Sequence, residues 1–304
     1  MRLASYTLAN NAAAIDVAED FGINICSWTV AGRELLHTEP GFGTTADSFY
    51  KGGNPLLFPA VGRTWDRTVS PPVAERYGLA GTGHSFTMPI HGIVPLGTWQ
   101  CVRREEAADA IYLAYTFDYG AAVREQHYPF RVELRQEYTL RPRSLELAAS
   151  LTNVGSEPAP AAFGYHPYFR LPQNRVRIEL PSRTRLEEDP DLLVPTGAVL
   201  PFSGSLELGP DDAIDSAFAD PTGTPARLHP AAAPAVTIST NAAMENYVVY
   251  KPPGAAFVCV EPWTRGLDGF AHLRSGDWQD GQALPVLTPG ATLSAMVTFA
   301  CPLP

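Results

Sequence analysis

Two segments of the chain set a titratable side chain where an apolar run stops. In FGYHPYFRLP, Phe163 to Pro172, His166 stands between Tyr165 and Pro167 among aromatic neighbours. In FVCVEPWTRGLDGF, the apolar run Phe257, Val258, Cys259, Val260 ends on Glu261. An imidazole titrates near neutral pH and can give and take protons in the cell. A carboxylate on an apolar strand is costly to bury unless paired. Desolvation raises its pKa and a facing imidazolium lowers it, so Glu261 opposite a histidine is expected to be held ionised, ready to act as a base. Plainer readings stand beside these: His166 as a core histidine hydrogen-bonded in an aromatic cluster, and Glu261 as a strand-end carboxylate in solvent.

Three further residues belong with them. His91, in MPIHGIVPLGTW, precedes a glycine and lies between Pro89 and Pro95, where the backbone cannot continue a regular sheet and the ring can point into a cleft; a turn histidine satisfied by backbone carbonyls is the alternative. Arg63 follows Gly62 in GGNPLLFPAVGRTW, and its fork of donors suits vicinal hydroxyls or a carboxylate, or else a surface ion pair. Asp215, amid the apolar residues of DDAIDSAF, is a plausible acceptor for sugar hydroxyls. His37, His127, His229 and His272 carry no comparable context, while His84, in GTGHSF, reads as part of a hairpin leading into the His91 motif and is a weaker candidate for touching a ligand. His91, His166 and Glu261 also compose a two-histidine, one-carboxylate metal set, although the close histidine spacing usual for it is missing. Cys26, Cys101, Cys259 and Cys301 lie far apart, without metal-ligand spacing, and read as buried thiols.

The elements that must position these groups are strands. FRVELRQEYTL alternates Val132, Leu134, Tyr138 and Leu140 with Glu133, Arg135, Glu137 and Thr139, the period of a half-buried antiparallel strand. The same period recurs from Ile111, Leu145 and Thr292. The chain's 29 prolines and 25 glycines interrupt any long helix. The expectation is an all-β protein, a large antiparallel β sandwich with loops gathered over a site, formed by residues 1–304 as one unit. At 304 residues, with 45% hydrophobic and 18% charged residues, the chain can bury a sizeable core. A net charge of −10 argues against a nucleic-acid partner, no apolar stretch is long enough for a membrane span, and a cytoplasmic location is expected from the absence of a signal-like N-terminus.

Taken in order, GGNPLLFPAVGR, MPIHGIVPLGTW, GYHPYFRL, FVCVEPWT and LTPGATLSAMVTF resemble the motifs of the aldose 1-epimerase (galactose mutarotase-like) family over most of the chain. The resemblance implies the galactose mutarotase-like supersandwich and a cofactor-independent mutarotase that interconverts the α and β anomers of a free sugar without metal or organic cofactor, acting as a monomer or homodimer. It makes Glu261 the general base on the C1 hydroxyl, His166 the general acid on the ring oxygen, His91 a group near the anomeric centre, and Arg63 and Asp215 hydroxyl-binding residues. The family often has an aromatic residue and an arginine after the first histidine-glycine pair, where this chain has Ile93, Val94 and Pro95. Arg67, Arg170 and Arg265 lie near the motifs, which keeps a hexose-6-phosphate mutarotase or epimerase open. A non-catalytic carbohydrate-binding protein is the remaining alternative.

Overall fold

A computed structural model describes residues 1–8, 11–274 and 283–302. The alternation read from the sequence sets the larger sheet. In Val132–Arg141 the even-numbered residues Val132, Leu134, Gln136, Tyr138 and Leu140 are buried; in its neighbour Ser144–Asn153 the odd-numbered Leu145, Leu147, Ala149, Leu151 and Asn153 are. Antiparallel pairing in this register puts both sets on one face. Nine strands follow in the spatial order Thr98–Glu106, Ile111–Asp118, Val132–Arg141, Ser144–Asn153, Thr292–Ala300, Val236–Thr240, Ala226–Pro230, Val176–Glu179 and Ser205–Leu208. The outer strand Thr98–Glu106 carries exposed Arg103, Arg104, Glu105 and Glu106 and a bulge after Cys101, features that discourage pairing with another chain. A four-stranded sheet of Leu3–Thr7, Ala13–Ala18, Asn24–Val30 and Arg33–Glu34 packs against this core, with the Tyr138 hydroxyl donating to the Ile23 carbonyl at 2.9 Å.

An eight-stranded sheet faces the nine-stranded one. Its path runs Pro195–Pro201, Thr184–Glu188, Ile214–Ala219, Asn246–Lys251, Phe257–Trp263, Gly164–Tyr165 and Leu56–Leu57, with Tyr168–Arg170 also paired to Phe257–Trp263. Phe169 meets Phe299 edge-on at 5.5 Å, and the Tyr165 hydroxyl donates to Gln136 Oε1 at 2.9 Å, so the buried polar pair is satisfied. This is the large antiparallel sandwich expected. Helix is confined to Gly120–Gln126 and three short 3-10 turns among the described residues, and no helix there is long and apolar enough to cross a membrane.

One property of the eight-stranded sheet matters for function. Every residue of Phe257–Trp263 is buried, so the strand has cover on both faces. Val258 and Val260 join the main core, whereas Phe257, Cys259 and Trp263 join smaller clusters. Strand alternation therefore turns Glu261 away from the sandwich core, together with Cys259 and Trp263. Across the ladder, Val248 lies opposite Glu261 and Tyr250 opposite Cys259, with Asp215 opposite Tyr250.

Candidate active site

The outer face of this sheet is the floor of a cleft of about 270 Å³, close to the lower end of the ~300–1,000 Å³ usual for small-molecule pockets. Arg63, His91, His166, Asp215 and Glu261 all line it. At the bottom, His166 Nε2 is 3.4 Å from Glu261 Oε1, with both side chains buried. His166 stacks on Tyr168 at 4.9 Å and 13° between ring planes. The His91 ring stands perpendicular to it at 5.3 Å.

The local sequence explains these placements. Gly164 precedes Tyr165 and lies opposite Trp263 in the ladder. A Cβ there would meet Trp263 Cδ1 at 2.5 Å, so the glycine lets the indole fold over toward the histidines. His91 itself adopts φ +62, and Gly92 follows at φ +93, its ideal Cβ position 2.0 Å from the Phe58 carbonyl oxygen. The Ile93 amide donates to that carbonyl at 2.7 Å. The histidine-glycine pair is thus a left-handed corner that only a residue without a side chain can complete, and the departure from sheet geometry at His91 is the one its flanking prolines predict.

His91 is held by backbone, though by an amide rather than a carbonyl. The Gly62 N–H donates to His91 Nδ1 at 3.1 Å, and the His91 N–H donates to the Gly62 carbonyl at 2.9 Å. An accepting Nδ1 leaves the proton of the neutral ring on Nε2. Burial, then the neighbouring His166 and Arg63, hold the His91 pKa well below its ordinary value, so the neutral ring is a fixed donor.

The charge state of the pair differs from the sequence expectation. Burial pushes the Glu261 carboxyl well above the usual range, the Asp215 carboxylate adds to this, and Trp263 offsets part of it. Burial also pulls His166 down to about 3, partly countered by its own backbone. The imidazolium invoked to keep Glu261 ionised is itself disfavoured, because desolvation acts on both partners at once. Both shifts favour the uncharged arrangement, carboxyl with neutral imidazole, over carboxylate with imidazolium. His166 Nδ1 and Glu261 Oε2 are buried without a hydrogen-bond partner among the described residues, an arrangement that costs stability. The Trp263 indole nitrogen, although near enough to Glu261 to favour its ionised form, makes no hydrogen bond of good geometry among the described residues.

Arg63 is at the exposed rim and is the only lysine or arginine among the described residues lining the cleft. Facing it, the Asp215 carboxyl is raised by burial and drawn down again by Arg63. The flanking arginines are engaged elsewhere: Arg67 pairs with Asp268 and Arg265 with Glu245, while Arg170 lines a different depression. Trp263 lines the cleft, but Trp65 donates to the Leu192 carbonyl at 3.0 Å and Trp99 stacks on Phe117 at 4.7 Å, away from the five residues. His84 is exposed in a turn. Among the polar and aromatic cleft residues, Tyr50, Tyr168, Tyr250 and Glu188 carry no site role in the sequence reading. Glu188 Oε1 accepts the Ala217 N–H at 3.2 Å, and its carboxyl is raised by burial and then by Asp215. A usable signal was the alternation in TRLEE, which makes Thr184–Glu188 a strand.

The family profile described as aldose 1-epimerase matches residues 4–295. The chain belongs to the aldose 1-epimerase family. Among relatives, it is 26% identical over 285 residues to the uncharacterized protein YphB of Escherichia coli (strain K12), covering 84% of this chain and 92% of that one. Among solved structures it resembles the Slr1438 protein of Synechocystis sp. PCC 6803, with TM-score 0.80, 23% identity and coverage of 99% and 96% of the two chains. It also resembles a galactose mutarotase related enzyme of Lactobacillus acidophilus, with TM-score 0.76, 20% identity and coverage of 99% and 98%. At these identities the structural likeness establishes the fold. Within the aldose 1-epimerase sandwich, this chain's acid-base candidates come from the Phe257–Trp263 strand and the corner after Gly164–Tyr165, and its second cleft histidine, His91, from the loop before Val94–Leu96.

Proposed function

We propose that the chain interconverts the α and β anomers of an unphosphorylated aldose, with Glu261 and His166 as the proton-exchanging pair. The observation that carries this is the 3.4 Å approach of His166 Nε2 to Glu261 Oε1 at the base of a monosaccharide-scale cleft. Mutarotation needs one group to take the C1 hydroxyl proton while another delivers a proton to the ring oxygen. The C1–ring oxygen bond then breaks, leaving an aldehyde and a chain hydroxyl. Rotation about C1–C2 turns the other carbonyl face to that hydroxyl, and the reverse transfers close the ring as the opposite anomer.

A pair holding one proton between two bases suits this cycle, because each turnover returns the proton count to its starting value. The family resemblance assigns Glu261 to the C1 hydroxyl and His166 to the ring oxygen. That assignment begins from carboxylate and imidazolium, which differs from the favoured free state by one proton moved across 3.4 Å. The His91 Nε2–H supplies a fixed hydrogen bond near the anomeric centre, and Arg63 and Asp215 hold hydroxyls at the rim. The cleft has three carboxyl groups, Glu188, Asp215 and Glu261, against one guanidinium. This disfavours a phosphate and supports the neutral sugar over the sugar phosphate. A purely sugar-holding role leaves two unpaired buried polar atoms without a use.

The test is NMR exchange or polarimetry across free and phosphorylated hexoses and pentoses. Acceleration over buffer is expected for at least one neutral aldose and is expected to be weaker for its 6-phosphate. Binding without acceleration for every sugar in the panel would reassign the chain as a carbohydrate-binding protein.

A further inference from the structure

Cys259 takes no part in the proton transfers described, yet strand alternation places it on the same face as Glu261, two residues away. One ligand atom each from His166, Cys259 and Glu261 lies within 4.8 Å of the others. A centre equidistant from three points 4.8 Å apart is about 2.8 Å from each, and zinc bonds run ~2.3 Å to sulfur and ~2.0–2.2 Å to nitrogen or oxygen. The contraction required is therefore about 0.5–0.8 Å per donor, and the 3.4 Å His166–Glu261 edge already has the length of a tetrahedral donor-donor separation.

The donor set has the right chemistry. Thiolate, imidazole and carboxylate together favour a borderline-soft ion such as Zn²⁺ over Mg²⁺ or Ca²⁺, which prefer all-oxygen ligands. Besides the cluster, the side chains of His166 and Glu261 are 7% and 1% exposed, and each also carries a buried polar atom, Nδ1 and Oε2, with no partner among the described residues, so the protein alone leaves the pair under-satisfied. His166 and Glu261 line the cleft, whereas Cys259 is buried behind them, so two of the three donors border the space a sugar would fill.

We propose that His166, Cys259 and Glu261 form a site for a zinc-class divalent cation, and that its occupation switches the acid-base pair off. This rests on the anomer-exchange reading only for the inhibitory half; the site itself does not. On binding, the thiol and the carboxyl give up their protons to the buffer, and the metal takes the lone pairs of sulfur, nitrogen and oxygen. With both proton carriers coordinated, neither serves the sugar, and a metal-bound water or hydroxyl fills the reaction position.

The experiment uses the full chain, treated with a chelator and then titrated with Zn²⁺ against a chromophoric chelator, with Cys259→Ser and Cys259→Ala alongside. Wild type is expected to bind one Zn²⁺, and both variants at least about tenfold more weakly. Co²⁺ is expected to give a thiolate charge-transfer band in wild type that both variants lack. Mutarotation is expected to fall on adding stoichiometric Zn²⁺ and to recover with chelator, while both variants, metal-free, keep wild-type rates within about twofold and resist Zn²⁺. Equal Zn²⁺ affinity in all three proteins, or no cobalt-thiolate band in wild type, would overturn the site. Activity abolished by chelator and restored by Zn²⁺ would overturn the inhibitory role. Tight Zn²⁺ binding with no mutarotation of any sugar would retain the site and reject the anomer-exchange reading.

Discussion

At the level of single residues, the proposed chemistry resides in one shared proton. Glu261→Gln and His166→Gln are each expected to lower the exchange rate by at least about 10²-fold. The double variant is expected to fall little further, since each single change already disables the pair; NMR exchange rates on all four proteins check this. His166 also makes a prediction about stability with a definite sign. Its pKa is depressed from 6.5 to about 3 in the native state, so between those values the unfolded chain binds a proton that the native protein does not. Native stability is therefore lost as pH falls from about 6.5 toward 3, and His166→Gln is expected to lessen that loss. Glu261 works in the opposite direction, its raised carboxyl favouring the native state at low pH and losing that advantage as pH rises past the unfolded value. Urea titrations at pH 4.5 and 7 would show a smaller pH difference in His166→Gln than in wild type; an unchanged difference would contradict a buried neutral histidine. Arg63, His91, His166, Asp215 and Glu261 were legible because each is a polar residue interrupting an apolar or glycine-proline context. Their charge states were not, because desolvation depends on what packs above a residue, which its neighbours in sequence do not specify. Tyr50, Tyr168 and Tyr250 escaped for a related reason: an aromatic beside a strand has the same appearance whether it fills the core or walls a cleft.

At the level of elements, two glycines set the corners of the candidate site. Gly164→Ala forces a methyl against the Trp263 ring at 2.5 Å, and overpacking of this kind typically costs about 1–3 kcal/mol. Because the displaced indole borders the cleft, the same change is expected to raise KM for the sugar. Gly92→Ala should cost more, since the Phe58 carbonyl at 2.0 Å is backbone and has no rotamer by which to retreat. Gly223, at φ +81 with nothing within 4 Å, provides the control: its alanine variant bears only the left-handed penalty of about 1–2 kcal/mol. Melting temperatures in the order Gly223→Ala, then Gly164→Ala, then Gly92→Ala, highest first, would support this account. The long strands of the nine-stranded sheet were readable because one face is wetter than the other. Phe257–Trp263 was visible as an apolar run, but with both faces covered no alternation told which side Glu261 would take. Thr184–Glu188 is short and runs into the acidic, proline-containing stretch before Pro195, so its alternation gives little warning that Glu188 borders the cleft.

For the molecule as a whole, the all-β sandwich followed from strand periodicity and the density of turn residues, whereas the strand order did not, because pairing partners far apart in the chain leave no local trace. A sugar that binds the folded protein should raise its melting temperature in proportion to ligand concentration. Glu261→Gln is expected to retain much of that shift while losing turnover, and a variant that loses both would place Glu261 in binding rather than proton transfer. The order of the nine-stranded sheet has a consequence for biosynthesis. Thr292–Ala300 pairs with Ser144–Asn153 on one side and Val236–Thr240 on the other, so a strand that follows both in the sequence fills the place between them. As the ribosome works, both neighbours emerge with open edges and must wait for it, and the nascent chain holds two unsatisfied pairing surfaces until Thr292–Ala300 has emerged.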